Sequence, residues 1–186
     1  MTSASTETSI PGYEAATWTI DPIHSEVGFS VRHMMVSKVR GRFTGFSGQI
    51  VTGATPEESS VTAEIDLATI NTGQEQRDEH IKSADFFEVE TYPTMTYKST
   101  GIRYEDGEYV LDGDLTLKGV TKRVPLRLEL NGFGPDPYGG TRAGFTATGE
   151  LNRRDFNVSF NAPMANGGVV VADKIQLHLE IEAVKA

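Results

Sequence analysis

An alternation of apolar and polar residues with a period of two runs through this chain and constrains its fold more than any other feature. Val27, Phe29 and Val31 alternate with Gly28, Ser30 and Arg32, and Val61, Ala63, Ile65 and Leu67 repeat the pattern. So do Val124, Leu126, Leu128 and Leu130; Phe145, Ala147, Gly149 and Leu151; and Ile175, Leu177, Leu179 and Ile181, which alternate with Gln176, His178, Glu180 and Glu182. Successive side chains of an extended strand point to opposite faces. Each run is therefore a strand with one apolar and one polar face, as in antiparallel sheets solvated on one side.

Turn chemistry falls between the runs. Glu105-Asp106-Gly107-Glu108, flanked by Tyr104 and Tyr109, predicts a tight hairpin, because a type I′ turn needs positive φ at both central residues. The stretches 132–140 and 53–59 read as longer loops. Gly41, Gly45 and Gly48 lie inside an apolar segment, where glycine marks a bend or a close backbone approach. Strands are expected near 17–21, 24–33, 39–52, 60–67, 94–105, 108–118, 121–134, 141–152 and 174–184.

Only residues 72–84 look helical, and their sole large apolar side chain is Ile81, too little for a core helix. They lead into Ala84-Asp85-Phe86-Phe87, an aromatic pair suited to inserting into something apolar. An open antiparallel sheet of this many strands would expose its edges, and closure removes them. The expected fold is all-β, an eight-stranded antiparallel barrel with one short helix between strands. Such a barrel is either filled by side chains or holds one small ligand. The 186 residues fit one domain, with a disordered lead over 1–16 and the barrel over 17–186.

Composition removes several function classes. Seventeen Lys and Arg face twenty-six Asp and Glu, a formal charge of −9. That argues against a nucleic-acid scaffold and against a protein held on a membrane by attraction alone, since both need basic surface. The absence of cysteine removes disulfides, thiolate metal sites and cysteine nucleophiles. No apolar run approaches the roughly 18 residues of a membrane span, so no stable membrane insertion is expected. The start lacks the positive charge and the apolar stretch of about 7–15 residues of a secretory signal, so a cytoplasmic location is expected.

No nucleophile elbow, phosphate loop or His-Glu-x-x-His string is present, so no catalytic residue, cofactor or metal site is assigned. His24 and His33 are nine apart on one expected strand and fall on opposite faces, which disfavours a shared metal. The histidines either hydrogen-bond their neighbours or, through His24, His80 or Asp78, do acid–base work on an apolar substrate. Arg77-Asp78 and Arg153-Arg154-Asp155 read as loop braces, or as cations at a barrel mouth that would meet a phosphate or carboxylate. Phe29, Phe43, Phe46, Phe86, Phe87, Met95, Tyr97 and Phe145 suit either a packed core or a pocket wall. A filled core would make the chain a structural or interaction protein instead.

Five ordered motifs resemble the YceI-like family: the stretch from Trp18-Thr-Ile-Asp-Pro to Ser30-Val-Arg-His33, Gly41-Arg-Phe-Thr-Gly-Phe-Ser-Gly48, Arg77-Asp-Glu-His-Ile-Lys-Ser-Ala-Asp-Phe-Phe87, Tyr92-Pro93 and Gly113-Asp-Leu-Thr-Leu-Lys-Gly-Val-Thr121. The resemblance runs from about residue 17 to the C-terminus. It implies a lipocalin-like barrel with an elongated apolar tunnel that binds a polyisoprenoid or another long-chain amphiphile without catalysis, for transport or storage. Resemblance to dimeric relatives leaves a homodimer open. Many relatives carry a signal peptide, which this chain does not show. Asn152-Arg-Arg-Asp-Phe-Asn157 resembles a family motif that ends in glycine, and Asn tolerates positive φ better than most residues. On this reading Phe29, Val31, Phe43, Ile65, Met95, Leu115, Leu117, Leu126, Leu128 and Phe145 line the tunnel. Phe86 and Phe87 stand near its entrance, and Arg77 or His80 meets the head group.

Overall fold

The alternating strands close on one another. The computed structural model describes residues 10–162 and 170–186. Its elements are β1 (Ala16–Ile20), β2 (Glu26–His33), β3 (Ser37–Phe43), β4 (Phe46–Thr52), β5 (Ser60–Asp66), β6 (Ile70–Asn71), the helix α1 (Glu75–Lys82), β7 (Thr94–Glu105), β8 (Glu108–Leu117), β9 (Val120–Arg123), β10 (Leu126–Pro135), β11 (Thr141–Asn152) and β12 (Val171–Lys185). All pairings are antiparallel, and the circuit β1-β4-β5-β7-β8-β10-β11-β12 returns to β1 through Ile20↔Ala183. The result is a closed eight-stranded antiparallel barrel.

The long strand β12 serves two partners in turn. Its last residues pair with β1, and its earlier part pairs with β2 in the register Val27↔Leu179. Thus β2 and β3 extend the wall past β1 and β4. The single strands expected over 39–52 and 121–134 are each two strands. The first breaks at Thr44-Gly45, where the Gly45 N–H donates to Thr69 Oγ1 (2.9 Å) and its carbonyl accepts from Asp66 (2.8 Å). The second breaks at Pro125, which has no N–H to give a ladder. The strand expected from residue 24 begins at Glu26, which leaves His24 in the preceding turn.

Local expectations were met where turn chemistry is strongest. Asp106 and Gly107 both have positive φ (54° and 80°) between the paired residues Glu105 and Glu108. Asn157 is left-handed at φ 60°. Of the lead expected over 1–16, residues 1–9 lie outside the described residues, whereas 10–16 are tied to the barrel. The Tyr13 hydroxyl donates to the Gly53 carbonyl (2.8 Å), and its ring meets Phe133 edge-on at 5.3 Å.

Two apolar clusters result. One surrounds Trp18, Ile20, Ile50, Ala143, Phe145 and Ala183. The other, around Phe43, Ile65, Leu67, Tyr97, Leu115, Leu126 and Phe156, reaches toward α1. Two strand glycines exist for aromatic neighbours: a Cβ on Gly41 would stand 2.4 Å from the Phe29 ring, and one on Gly113 would stand 2.4 Å from the Tyr97 ring. Both rings therefore lie flat across the neighbouring strand, which bare backbone permits.

Candidate functional site: the barrel cavity

Because the inward positions of the wall strands are predominantly apolar, the space they enclose is apolar too. It is a cavity of about 420 Å³. At one end its wall is buried, with Ile20, Ile50 and Thr52 each less than a tenth exposed. At the other end it reaches His33, Arg77, His80, Phe86 and Phe160. There His80 and Phe160 are roughly half and one third exposed, at 46% and 37%.

The fourteen residues expected to line the tunnel and its mouth stand on this wall, whereas His24 and Asp78 do not. Phe29 and Val31 come from β2, Phe43 from β3, Ile65 from β5, Met95 from β7 and Leu115 and Leu117 from β8. Leu126 and Leu128 come from β10 and Phe145 from β11, while α1 and the turn after it bring Arg77, His80, Phe86 and Phe87. The cavity also touches Ile175, Leu177, Leu179 and Ile181 of β12. Their alternation was visible, and assigning the apolar face inward would have placed them. Phe160 had no such signal.

The helix is a lid and has no buried residue of its own. Its frame is polar: Asp78 Oδ1 accepts from the Thr72 N–H (2.9 Å) and hydroxyl (2.5 Å), while Arg77 donates to Thr72 Oγ1 (2.8 Å) and to its carbonyl (2.7 Å). The following turn is pinned by Phe87 N–H to the Ile81 carbonyl (3.0 Å) and Val89 N–H to that of Lys82 (3.0 Å). This aims Phe87 inward, its ring 6.2 Å from Phe43, which in turn lies 5.8 Å from Phe29. His80, Phe86 and Phe160 meet edge-to-face at 5.1 to 5.3 Å. Outside them, His80 Nε2 pairs with Asp85 at 2.8 Å. The lid is thus aromatic within and polar without.

Arg153 is a brace. Only 3% exposed, it donates to the carbonyls of Ala172 (3.0 Å), Val158 (2.7 Å) and Phe160 (2.8 Å), with Asp173 at 3.6 Å. Burial pulls its guanidinium below the usual value, and the carbonyl ring compensates the buried charge. Tyr97 is similar: its hydroxyl donates to the Val124 carbonyl (2.8 Å), and burial, with Asp112 and Asp114 adding, pushes the phenol up. It remains a neutral donor on an apolar wall.

The residues considered for acid–base work are not brought together. Asp78 is committed to Thr72 and His80 to Asp85. His24 sits outside the cavity wall, with Nδ1 2.7 Å from Asp21 Oδ2 and 3.5 Å from Glu182 Oε2. Among the described residues, Asp21, His24 and Glu182 are the one group with metal-ligand spacing. Their carboxylates already hold a cation, because Arg142 Nη1 is 2.9 Å from Asp21 and 3.2 Å from Glu182. His24 and Arg142 hold the Asp21 carboxyl well below the usual range. This cluster ties the β1–β2 turn to β11 and β12. Among the described residues, no helix is long and apolar enough to cross a membrane.

A closed antiparallel barrel with one apolar cavity under an aromatic lid is a lipocalin-like barrel. The chain belongs to the YceI-like family: the model of the YceI-like domain matches residues 18–183. It is 35% identical over 163 residues to Protein YceI of Escherichia coli O157:H7, covering 87% of this chain and 82% of that protein. BcnA of Burkholderia cenocepacia has a similar crystal structure, with a TM-score of 0.76 and 25% identity over 88% of this chain and 98% of that one. A polyisoprenoid binding domain from Saccharophagus degradans shares the fold, with a TM-score of 0.65 and 15% identity over 93% of this chain and all of that one.

Proposed function

We propose that this protein binds one long-chain amphiphilic lipid of the polyisoprenoid type inside the barrel and carries or stores it unchanged. The observation that carries the reading is the continuous apolar wall, with polar side chains gathered at the lid. A prenyl chain has no hydrogen-bonding capacity, so its affinity comes from buried apolar area, at about 25 cal/mol per Å². The cavity wall supplies that area without fitted polar contacts, while Arg77 and His80 stand where a head group would emerge. The volume lies within the range of about 300–1,000 Å³ usual for small-molecule sites. The fold shared with a domain described as polyisoprenoid-binding supports the same ligand class.

Native mass spectrometry of protein purified without detergent, followed by solvent extraction, tests this. One bound lipid per chain with the mass ladder of a polyprenyl compound is expected. Ala63→Phe places a ring into the cavity from β5; lipid is lost while the urea midpoint stays near that of the parent. An empty parent protein, combined with a loss of about 1–3 kcal/mol in Ala63→Phe, is the signature of an already filled core and defeats the carrier.

A further inference from the structure

The hairpin joining β2 to β3 departs from the rest of the molecule in two independent ways. Its turn, His33-Met34-Met35-Val36, is closed by the Val36 N–H to the His33 carbonyl (3.2 Å), with φ of 52° at Met34 and 63° at Met35. Turns with two positive φ values strongly prefer Asn-Gly or Asp-Gly, because a Cβ crowds the backbone in the left-handed region. The β7–β8 hairpin obeys this with Asp106-Gly107. Here two methionines take the strained positions, and Met34, Met35 and Val36 stand 43%, 61% and 85% exposed. Left-handed backbone at two non-glycine residues thus carries three adjacent apolar side chains in water.

The second departure is electrostatic. In a chain of net charge −9, no Asp or Glu occurs between Glu26 and Glu57, whereas Arg32, Lys38, Arg40 and Arg42 all do. The register pairs Arg32 with Lys38, Ser30 with Arg40 and Gly28 with Arg42, opposite in phase to Phe29, Val31 and Val39, which line the cavity. Lys38, Arg40 and Arg42 therefore share the outer face of one hairpin, with Glu26 at its far end, and Arg32 stands beside His33 at the rim of the cavity. All four cations are exposed, and among the described residues none forms an ion pair. A basic face leads to an apolar tip, and the tip adjoins the lid end of the cavity. His33 lines that end, and the Met34 N–H donates to the carbonyl of Val170, another wall residue (2.8 Å).

We propose that the β2–β3 hairpin docks this protein on the surface of an anionic lipid bilayer. Met34, Met35 and Val36 enter the head-group layer, and the four cations meet lipid phosphates. The lid end of the cavity then faces the membrane. The net charge argued against such attraction, but charges more than about 8–10 Å apart are screened at physiological salt, so the segregated face acts as a local cation. A second copy of the chain fits less well, because tip-to-tip contact brings two basic faces together. Each Lys or Arg at an anionic surface strengthens partitioning about fivefold. The purpose of docking rests on the lipid-carrier reading, but its measurement does not.

Co-sedimentation of the full chain with phosphatidylcholine vesicles, with and without phosphatidylglycerol, is the test. Binding that requires phosphatidylglycerol and falls with added salt is expected. K38Q/R40Q binds about thirty-fold more weakly. M34N/M35G, which suits the turn, melts no lower than the parent yet loses most of its binding. Native mass spectrometry finds bound lipid unchanged in both variants. A parent that stays in solution with anionic vesicles overturns the proposal, as does either variant binding like the parent. A soluble dimer that dissociates in M34N/M35G assigns the tip to self-association and overturns it as well. Bound lipid without vesicle binding removes docking alone, and vesicle binding without bound lipid removes the carrier reading alone.

Discussion

At one end of the barrel the Trp18 indole is wholly buried, its Nε1–H donates to Thr52 Oγ1 (2.9 Å), and that hydroxyl donates to the Glu14 carbonyl (2.7 Å). There β1 pairs with both β4 and β12, and Asp21, Asp136, Arg142 and Glu182 lock the turns above it. At the other end a helix with no buried residue and a turn with two partly exposed phenylalanines cover a hollow. Both ends are built from the same alternating strands. An apolar face tells a residue to point inward but not how tightly the interior must close. One closed and hydrogen-bonded end lets the opposite end be covered only by the lid, even though the unfilled space between them forfeits packing contacts.

The largest expected effect breaks the closed end. Trp18→Ala costs about 3–5 kcal/mol in urea unfolding, since it removes a fully buried ring and one buried hydrogen bond to Thr52. Lipid content per folded chain should not change. A loss under about 1 kcal/mol would show that the two ends carry stability equally.

Acid provides the next separation. Hydrogen bonds from His24 and Arg142 lower the pKa of Asp21, and the Gly140 and Tyr138 amides with Arg142 lower that of Asp136. Burial raises that of Asp112, but Arg123 and Arg103 outweigh it and leave it lowered. A carboxyl with a depressed folded pKa contributes stability that is complete above its unfolded value, about 3.9, and is lost as pH falls through the folded value. The urea midpoint should therefore fall between pH 5 and about pH 2, with amide protection dropping first in β1 and the start of β11. Asp21→Asn should flatten that slope. Earlier loss of protection at α1 would reverse the comparison.

The smallest effect belongs to the lid. His80→Ala breaks an exposed pair with Asp85 and should cost at most about 1 kcal/mol. It should still speed exchange of bound lipid, as followed by transfer to empty protein. Unchanged exchange would separate the His80 cluster from the entrance.

Much of this site was legible because period two is a local code. Phe29, Ile65, Leu126 and Phe145 could be placed on the apolar face of a strand from their neighbours alone, and the hairpin at Asp106-Gly107 and the helical stretch around Ile81 were readable in the same way. The breaks at Gly45 and Pro125 were hidden in continuous apolar runs, because a bend is set by the partner strand the chain must reach. Phe160 beside His80 and Phe86, the carbonyl ring around Arg153, and the link from Asp21 to Arg142 across 121 residues join distant parts of the chain. Alternation states which face of a strand is apolar, since that depends only on the geometry of successive residues. Whether the enclosed space is filled or hollow, and which end opens, depends on closure between strands far apart in the chain, which no local period encodes.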